Sequence, residues 1–372
     1  MNILVSAAFM VEGGAKAILF QFLQHLQEHI GSDRYLILVH PEVALPEIKD
    51  VEYLRVDVRN KLTRYRYDHR IYAELMEEKN FEPDLVISLQ NTGINCLKDK
   101  PQIIYYHQAL IFYRHFWNPL RGDERLMFYY RHFFPLIVRN SFRKDNTEFI
   151  VQTSEVKENL AQFFHLEAKR IHVMPPDIKP VDTTDIPPFA FEKGFVHMIY
   201  PALYYPYKRF ETLVKAVALL KAQQPQVTER LKIHFTISPA ESPRLVHTIR
   251  KLNVDFNFEL NGRVTFQQLI GMYKSSHAML FPSVVETVGL PLLEAAGMGL
   301  PIFASDLRFA HLALGDYKGV TFIASNNIIR WSSCIAEIAQ TSLKRFSEKP
   351  LATISSWHHF FELVAKYNIC KK

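Results

Sequence analysis

Short apolar runs alternate with longer amphipathic stretches along the whole chain, and that alternation limits what the chain can become. Runs rich in Val, Ile, Leu, Phe and Tyr at 3–5, 35–39, 85–88, 103–106 and 149–151 read as buried strands. Between them, apolar residues recur at three and four positions over 16–29, 67–79, 123–141 and 154–164, the period of a helix with one buried face. Ser154 is placed to cap the last of these. Strand and helix in alternation build a parallel sheet covered by helices.

After 171–174 the pattern breaks. The stretch from Pro175 to Pro188 carries five prolines in 14 residues with no helical period, and reads as a linker. A second series then begins, with strands over 196–200, 233–236, 256–260, 278–281 and 302–304 and helices over 210–222, 243–252, 265–275 and 290–297. At 372 residues the chain exceeds what one hydrophobic core serves. The expected organisation is a doubly wound α/β domain over 1–175, a linker over 176–192, a second such domain over 193–350 and a C-terminal helical segment over 351–372. Sheets of this kind bind ligands outside the carboxyl ends of their strands, so a ligand is expected in a cleft between two facing domains.

An apolar fraction of 48% with 22% charged residues excludes a disordered chain. Cys96, Cys334 and Cys370 are few, odd in number and far apart, which argues against a disulfide framework or a zinc motif and fits a reducing cytoplasm. Met1-Asn-Ile-Leu-Val-Ser6 reads as a first strand and not as a signal peptide, and no apolar run approaches the roughly 18 residues of a membrane span. The net charge of +6 suits nucleic acid, an anionic bilayer or phosphorylated substrates. No motif of the usual nucleic-acid set is present, so nucleic acid is not an expected partner.

Chemistry concentrates in Phe281-Pro-Ser-Val-Val-Glu-Thr-Val-Gly-Leu-Pro-Leu-Leu-Glu294, an apolar strand, a turn holding Glu286 and Gly289, and a helix carrying Glu294. A strand feeding a glycine turn into a helix offers free backbone N–H groups to an anion, most often a phosphate. Glu286 beside that cradle and Glu294 about one helical turn in are able to hold hydroxyls on either side of a diphosphate, as in a nucleotide-sugar.

This segment resembles the Glu-x7-Glu region of retaining glycosyltransferases of family 4, which have the GT-B architecture. Asn261-Gly-Arg-Val-Thr-Phe-Gln-Gln-Leu-Ile-Gly-Met-Tyr273, Ala278-Met-Leu-Phe-Pro-Ser283 and Pro301-Ile-Phe-Ala-Ser-Asp306 resemble the strands and helix around it. Tyr200-Pro-Ala-Leu-Tyr-Tyr-Pro-Tyr-Lys-Arg-Phe210 resembles the loop that opens the donor domain. The similarity is concentrated over 195–325. It implies two Rossmann-like domains facing each other across a cleft, a C-terminal helix around 354–367 that crosses back onto the first domain, a nucleotide-diphosphate sugar as donor, and no metal or other cofactor, the leaving diphosphate being held by basic side chains and helix N-termini.

Carried over residue by residue, the resemblance places Lys208 on the diphosphate and Glu286 on the hydroxyls of the transferred sugar. It places the backbone of Thr287, Val288, Gly289 and Leu290 around the phosphates, Glu294 on the ribose, and Arg263 and Val264 by the nucleobase. From the first domain, Gly13 and Gly14 would approach the phosphate or sugar, and His107 the sugar or its reacting centre. Lys208, Glu286 and His107 are the catalytic candidates. The family's commoner pattern ends the strand before the Lys208 loop with Gly-Arg, whereas this chain has Pro201-Ala202, and Arg209 is the candidate to compensate. Attack on the same face as the departing phosphate is implied, and no second carboxylate is assignable as a nucleophile, so the two-carboxylate hydrolase layout is the weaker reading.

The expected activity is transfer of a hexose or deoxyhexose to a saccharide or lipid-linked saccharide, in synthesis of a bacterial surface polysaccharide such as lipopolysaccharide or capsule. A small soluble acceptor, or a catalytically inert sugar-binding scaffold, are the alternatives. Residues 112–144 intersperse Arg114, Arg121, Arg125, Arg131, Arg139 and Arg143 with aromatic side chains, and Arg64, Arg66 and Arg70 add a second basic group. Such a surface suits an anionic membrane or a pyrophosphate-linked lipid, whereas the same aromatics would serve as core in an ordinary helix. The expected location is the cytoplasm, or the inner face of the cell membrane as a peripheral protein.

Overall fold

In the computed structural model of the chain, residues 1–11, 13–58, 60–178, 183–341, 344–350 and 355–369 are described. The chain forms two compact units: Met1–Trp117, Leu126–Asp177 and Thr353–Lys372 make the first, and Asn118–Arg125 with Ile178–Ala352 make the second.

The first unit is built on seven parallel strands, β1 Asn2–Ala7, β2 Arg34–Val39, β3 Val51–Arg55, β4 Leu85–Ser88, β5 Gln102–Tyr106, β6 Thr147–Val151 and β7 Ile171–Val173, in the order β3-β2-β1-β4-β5-β6-β7. The central strands are buried on both faces, with Val5 opposite Ile37 and Ile87, which is why they read as continuous apolar runs. On one face the helix Gly13–His29 packs Phe22 against Trp357, Phe360 and Phe361 of the C-terminal helix Trp357–Ile369, with ring centroids 6.0, 5.9 and 5.8 Å apart.

The second unit has six parallel strands, β8 Val196–Tyr200, β9 Leu231–Phe235, β10 Phe258–Leu260, β11 Ala278–Phe281, β12 Ile302–Ser305 and β13 Val320–Ile323, in the order β10-β9-β8-β11-β12-β13. The order reverses at β1/β4 in the first unit and at β8/β11 in the second, so each sheet has a switch point where carboxyl ends leave room for a ligand.

Several expectations are corrected. The octet Asn118–Arg125, placed by sequence inside 1–175, belongs to the second unit. Arg244 pairs there with Asp123 at 2.9 Å and Glu124 at 3.6 Å, and Glu124 also accepts from the Asn118 N–H at 2.7 Å. Of the proposed linker, 179–182 lie outside the described residues, as does Cys370. The later part of the linker is stitched to the helix Phe266–Ser275: the Phe189 N–H donates to the Gly271 carbonyl at 3.0 Å and the Ser275 hydroxyl to the Phe189 carbonyl at 2.7 Å. Thr153, not Ser154, caps the helix Ser154–Phe164, accepting from the Val156 N–H at 3.3 Å. The helix expected over 67–79 begins at Lys61 and passes through a π turn at Tyr67–Ile71, and the one expected over 123–141 is two helices, Arg125–His132 and Phe134–Phe142.

Candidate active site

At the carboxyl end of β8 the chain leaves through Pro201, turns in a short 3-10 helix at Pro206–Lys208, and enters the helix Phe210–Gln223 through Arg209, whose φ of 56° is left-handed. Two bonds fix this loop. The wholly buried Tyr200 donates its hydroxyl to the Lys208 carbonyl at 2.7 Å, and the Val284 N–H, just past β11, donates to the Tyr207 carbonyl at 2.9 Å. The second bond ties the lysine loop to the glutamate loop. Lys208 Nζ then lies 2.5 Å from Glu286 Oε1, with both side chains nearly buried at 14% and 13% exposure. A cation and a carboxylate held this close at a sheet's switch point are placed to receive an anion and a hydroxyl side by side.

Downstream of Glu286, Gly289 has a φ of 72°, a left-handed backbone that favours glycine, and a Cβ there would sit 3.1 Å from Leu292 Cδ1, which would have to give way. Among the described residues, the backbone N–H groups of Thr287, Val288, Gly289 and Leu290 give no hydrogen bond to the protein, while those of Leu292 and Leu293 turn back to the Gly289 carbonyl. Four adjacent unspent donors fit a phosphate cradle. Glu294, on the short helix Leu290–Ala296, is half-buried, which pushes its carboxyl above the usual range, and it accepts the Tyr273 hydroxyl at 3.1 Å, which opposes that rise. Tyr273 left no signal in the sequence as a site residue, because an aromatic on an amphipathic helix reads as core.

Arg263 and Val264 lie beyond the end of β10. The arginine is exposed and paired with Glu241 at 3.1 Å, and Val264 packs at the edge of the core. Ala202, where the family pattern has arginine, receives no charge; its N–H donates to Thr236 Oγ1 at 3.2 Å. The Arg209 side chain forms no hydrogen bond or ion pair among the described residues.

The remaining candidates lie in the first unit. Gly13, with φ of 61°, and Gly14 open the helix Gly13–His29 and are exposed, with nothing within 4 Å of a Cβ at either. His107 comes directly after β5. Its backbone N–H donates to Asn91 Oδ1 at 2.6 Å and its Nε2 accepts from Asn91 Nδ2 at 3.0 Å. Burial pushes its pKa down to about 4 against a hydrogen bond with Leu89, with the Arg64 charge adding to the fall, so at neutral pH the imidazole is uncharged. Arg64, expected on a basic surface, turns inward to donate to the Gln90 carbonyl at 2.7 Å and Thr92 Oγ1 at 2.6 Å.

Residues 182–349 match the family model described as Glycosyl transferases group 1. The D-inositol 3-phosphate glycosyltransferase of Stackebrandtia nassauensis is 24% identical over 217 residues, 53% of this chain and 47% of that protein, so the chain spans about half the length of the curated relatives it matches. Among solved structures, sucrose-phosphate synthase from Thermosynechococcus elongatus superposes with a TM-score of 0.64 at 11% identity, covering 98% of each chain. WaaG, a glycosyltransferase involved in lipopolysaccharide biosynthesis, superposes with a TM-score of 0.59 at 17% identity over 91% of this chain and 94% of its own. These likenesses carry the GT-B fold of two Rossmann-like α/β domains across the whole chain. The matched segment 182–349 holds Lys208, Glu286, Gly289 and Glu294.

Proposed function

We propose that this protein is a glycosyltransferase that moves a hexose or deoxyhexose from a nucleotide-diphosphate sugar to a saccharide or lipid-linked saccharide acceptor, with retention of configuration and without a metal cofactor. The observation that carries the reading is the Lys208–Glu286 pair beside four unspent backbone donors, inside the segment that matches the family. Lys208 and the Thr287–Leu290 amides would hold the leaving diphosphate, Arg209 would supply the charge absent at Ala202, and Glu286 would pass from Lys208 to the sugar hydroxyls as the phosphate takes its cation. Glu294 would receive the ribose, and the base would lie near Arg263 and Val264. His107, neutral and with its ring hydrogen-bonded to Asn91 and Leu89, would not serve as an acid.

Phe133, Leu136, Arg139 and Arg143 are exposed and recur at three and four positions on one face around the helix Phe134–Phe142, which favours contact with an anionic bilayer and an acceptor carried there, as in surface-polysaccharide synthesis. Among the described residues no helix is long and apolar enough to cross a membrane. The names of the relatives favour a second reading, a small soluble phosphorylated acceptor. Incubation with labelled UDP-, GDP-, dTDP- and ADP-sugars tests the activity through released nucleotide, and the anomeric configuration of the first product tests retention; an inverted product contradicts the mechanism. Sedimentation with phosphatidylglycerol vesicles, lost in Leu136→Ser/Arg139→Glu, distinguishes the two acceptors' settings.

A further inference from the structure

The side chain of Tyr273 is fully buried near the end of the helix Phe266–Ser275, yet its hydroxyl reaches across to a different helix to donate a hydrogen bond to Glu294 Oε2. That end of the helix is closed from outside: Arg345 Nη2 donates to the carbonyls of Tyr273, Lys274 and Ser276 at 2.5, 2.9 and 3.0 Å. These are the carbonyls a helix end leaves without partners. Tyr273 is thus held at its backbone by Arg345 and at its tip by Glu294. Of the two Glu294 oxygens one is tied in this way, and Oε1 has no protein partner among the described residues. A free glutamate samples several rotamers, and a tether at one oxygen removes most of that freedom before any ligand arrives.

We propose that Tyr273 is a positioning residue of the donor site, fixing one oxygen of Glu294 so that the other is presented to the vicinal ribose hydroxyls of a nucleoside diphosphate sugar. The inference rests on the reading of Glu294 as a donor ligand. Vicinal hydroxyls donate, so the carboxyl must be ionised to accept both. Burial disfavours that ionised form and the Tyr273 hydroxyl favours it; no charged side chain among the described residues adds to these two influences. Removing the hydroxyl therefore does more than loosen a side chain. It moves the ionisation on which binding depends.

Tyr273→Phe keeps the buried ring and removes only the hydroxyl. Thermal stabilisation by the UDP-, GDP-, dTDP- and ADP-sugar panel first selects the nucleotide class in wild-type protein, and calorimetric titration with that donor between pH 5 and 8.5 then compares wild type, Tyr273→Phe, Glu294→Gln and the double variant. Tyr273→Phe is expected to weaken donor binding on the order of tenfold at neutral pH and to move the acid midpoint of binding upward by about half a unit or more. In the double variant the tyrosine substitution is expected to add nothing to Glu294→Gln. Equal affinity and midpoint in Tyr273→Phe, a uniform weakening with no movement of the midpoint, or full additivity in the double variant each overturns the positioning role alone. Folded wild-type protein that binds none of the panel overturns the donor-site reading and the inference with it.

Discussion

At the scale of residues, the central fact is that Lys208 and Glu286 hold each other at 2.5 Å while nearly buried, so each is the other's partner in the absence of a donor. Removing one leaves the other desolvated and unpaired, which costs about 1–3 kcal/mol. Lys208→Met is therefore expected to lower the melting temperature and to reduce kcat/KM by about 10²–10³-fold through loss of leaving-group stabilisation. Adding Glu286→Gln is expected to restore the melting temperature and none of the activity; thermal unfolding and donor turnover on the two variants separate the roles, and a double variant as unstable as the single would show that the pair is not the source. The strand, glycine turn and helix marked Glu286 and Glu294 as candidates and the resemblance of the loop over 200–210 marked Lys208, whereas the meeting of Lys208 with Glu286 is a tertiary contact that sequence does not show. Tyr273 was not marked, since its partner lies 21 residues away on another helix and leaves no periodic trace. His107 was a candidate by position only: the Asn91 clamp that occupies Nε2 and holds the ring is a tertiary contact.

At the scale of elements, the turn between β11 and the helix Leu290–Ala296 depends on Gly289, whose φ of 72° costs any other residue about 1–2 kcal/mol before the close approach of Leu292 is counted. Gly289→Ala is expected to lower stability by roughly that amount and to weaken donor binding more than stability, since the cradle amides of Val288 and Gly289 turn with the backbone; unchanged donor affinity measured by calorimetry would remove those amides from the site. Central strands were readable because burial on both faces writes them as unbroken apolar runs. The edge strands β3 and β13 were missed because their residues are half-buried, as in Val51-Glu-Tyr-Leu-Arg55, and mix polar with apolar. The π turn at Tyr67–Ile71 escaped for a different reason: it shifts the helical phase and carries the buried Asp68 inward beside Arg64, 3.6 Å away.

At the scale of the whole molecule, the response to acid is expected to turn on buried histidines and carboxyls in both units. In the second, Phe191 stacks on His197 and His234 at 4.5 and 4.1 Å, and burial pushes the pKa of His234 down to about 4 and lowers that of His197. A histidine with a depressed folded pKa binds its proton more readily when unfolded, so stability is full above about pH 6.5 and is lost as the pH falls toward 4; for His234 the loss by pH 5 is about 2 kcal/mol. In the first unit His107 has the same sign, but burial raises Asp68 to about 6, and a carboxyl raised on folding gains stability in acid, so the two offset. Glu294 in the second unit is raised by burial as well and opposes that loss, so the test is made on the histidine: thermal unfolding followed from pH 7.5 to 5 is expected to show His234→Gln flattening the acid loss, and an unchanged slope in that variant would contradict the assignment. Two parallel α/β units were visible in the doubled alternation of the sequence, whereas the return of the Asn118–Arg125 octet to the second unit rests on the Arg244 ion pairs and has no local signature. The claim on which the rest depends is that the second unit binds a nucleotide-diphosphate sugar through Lys208, Glu286 and Glu294. Calorimetric titration of the purified protein with sugars of the four nucleotide classes tests it: one class is expected to bind, with affinity at least tenfold weaker in both Lys208→Met and Glu294→Gln. Folded protein that binds none, or binding that both substitutions leave unchanged, would contradict it.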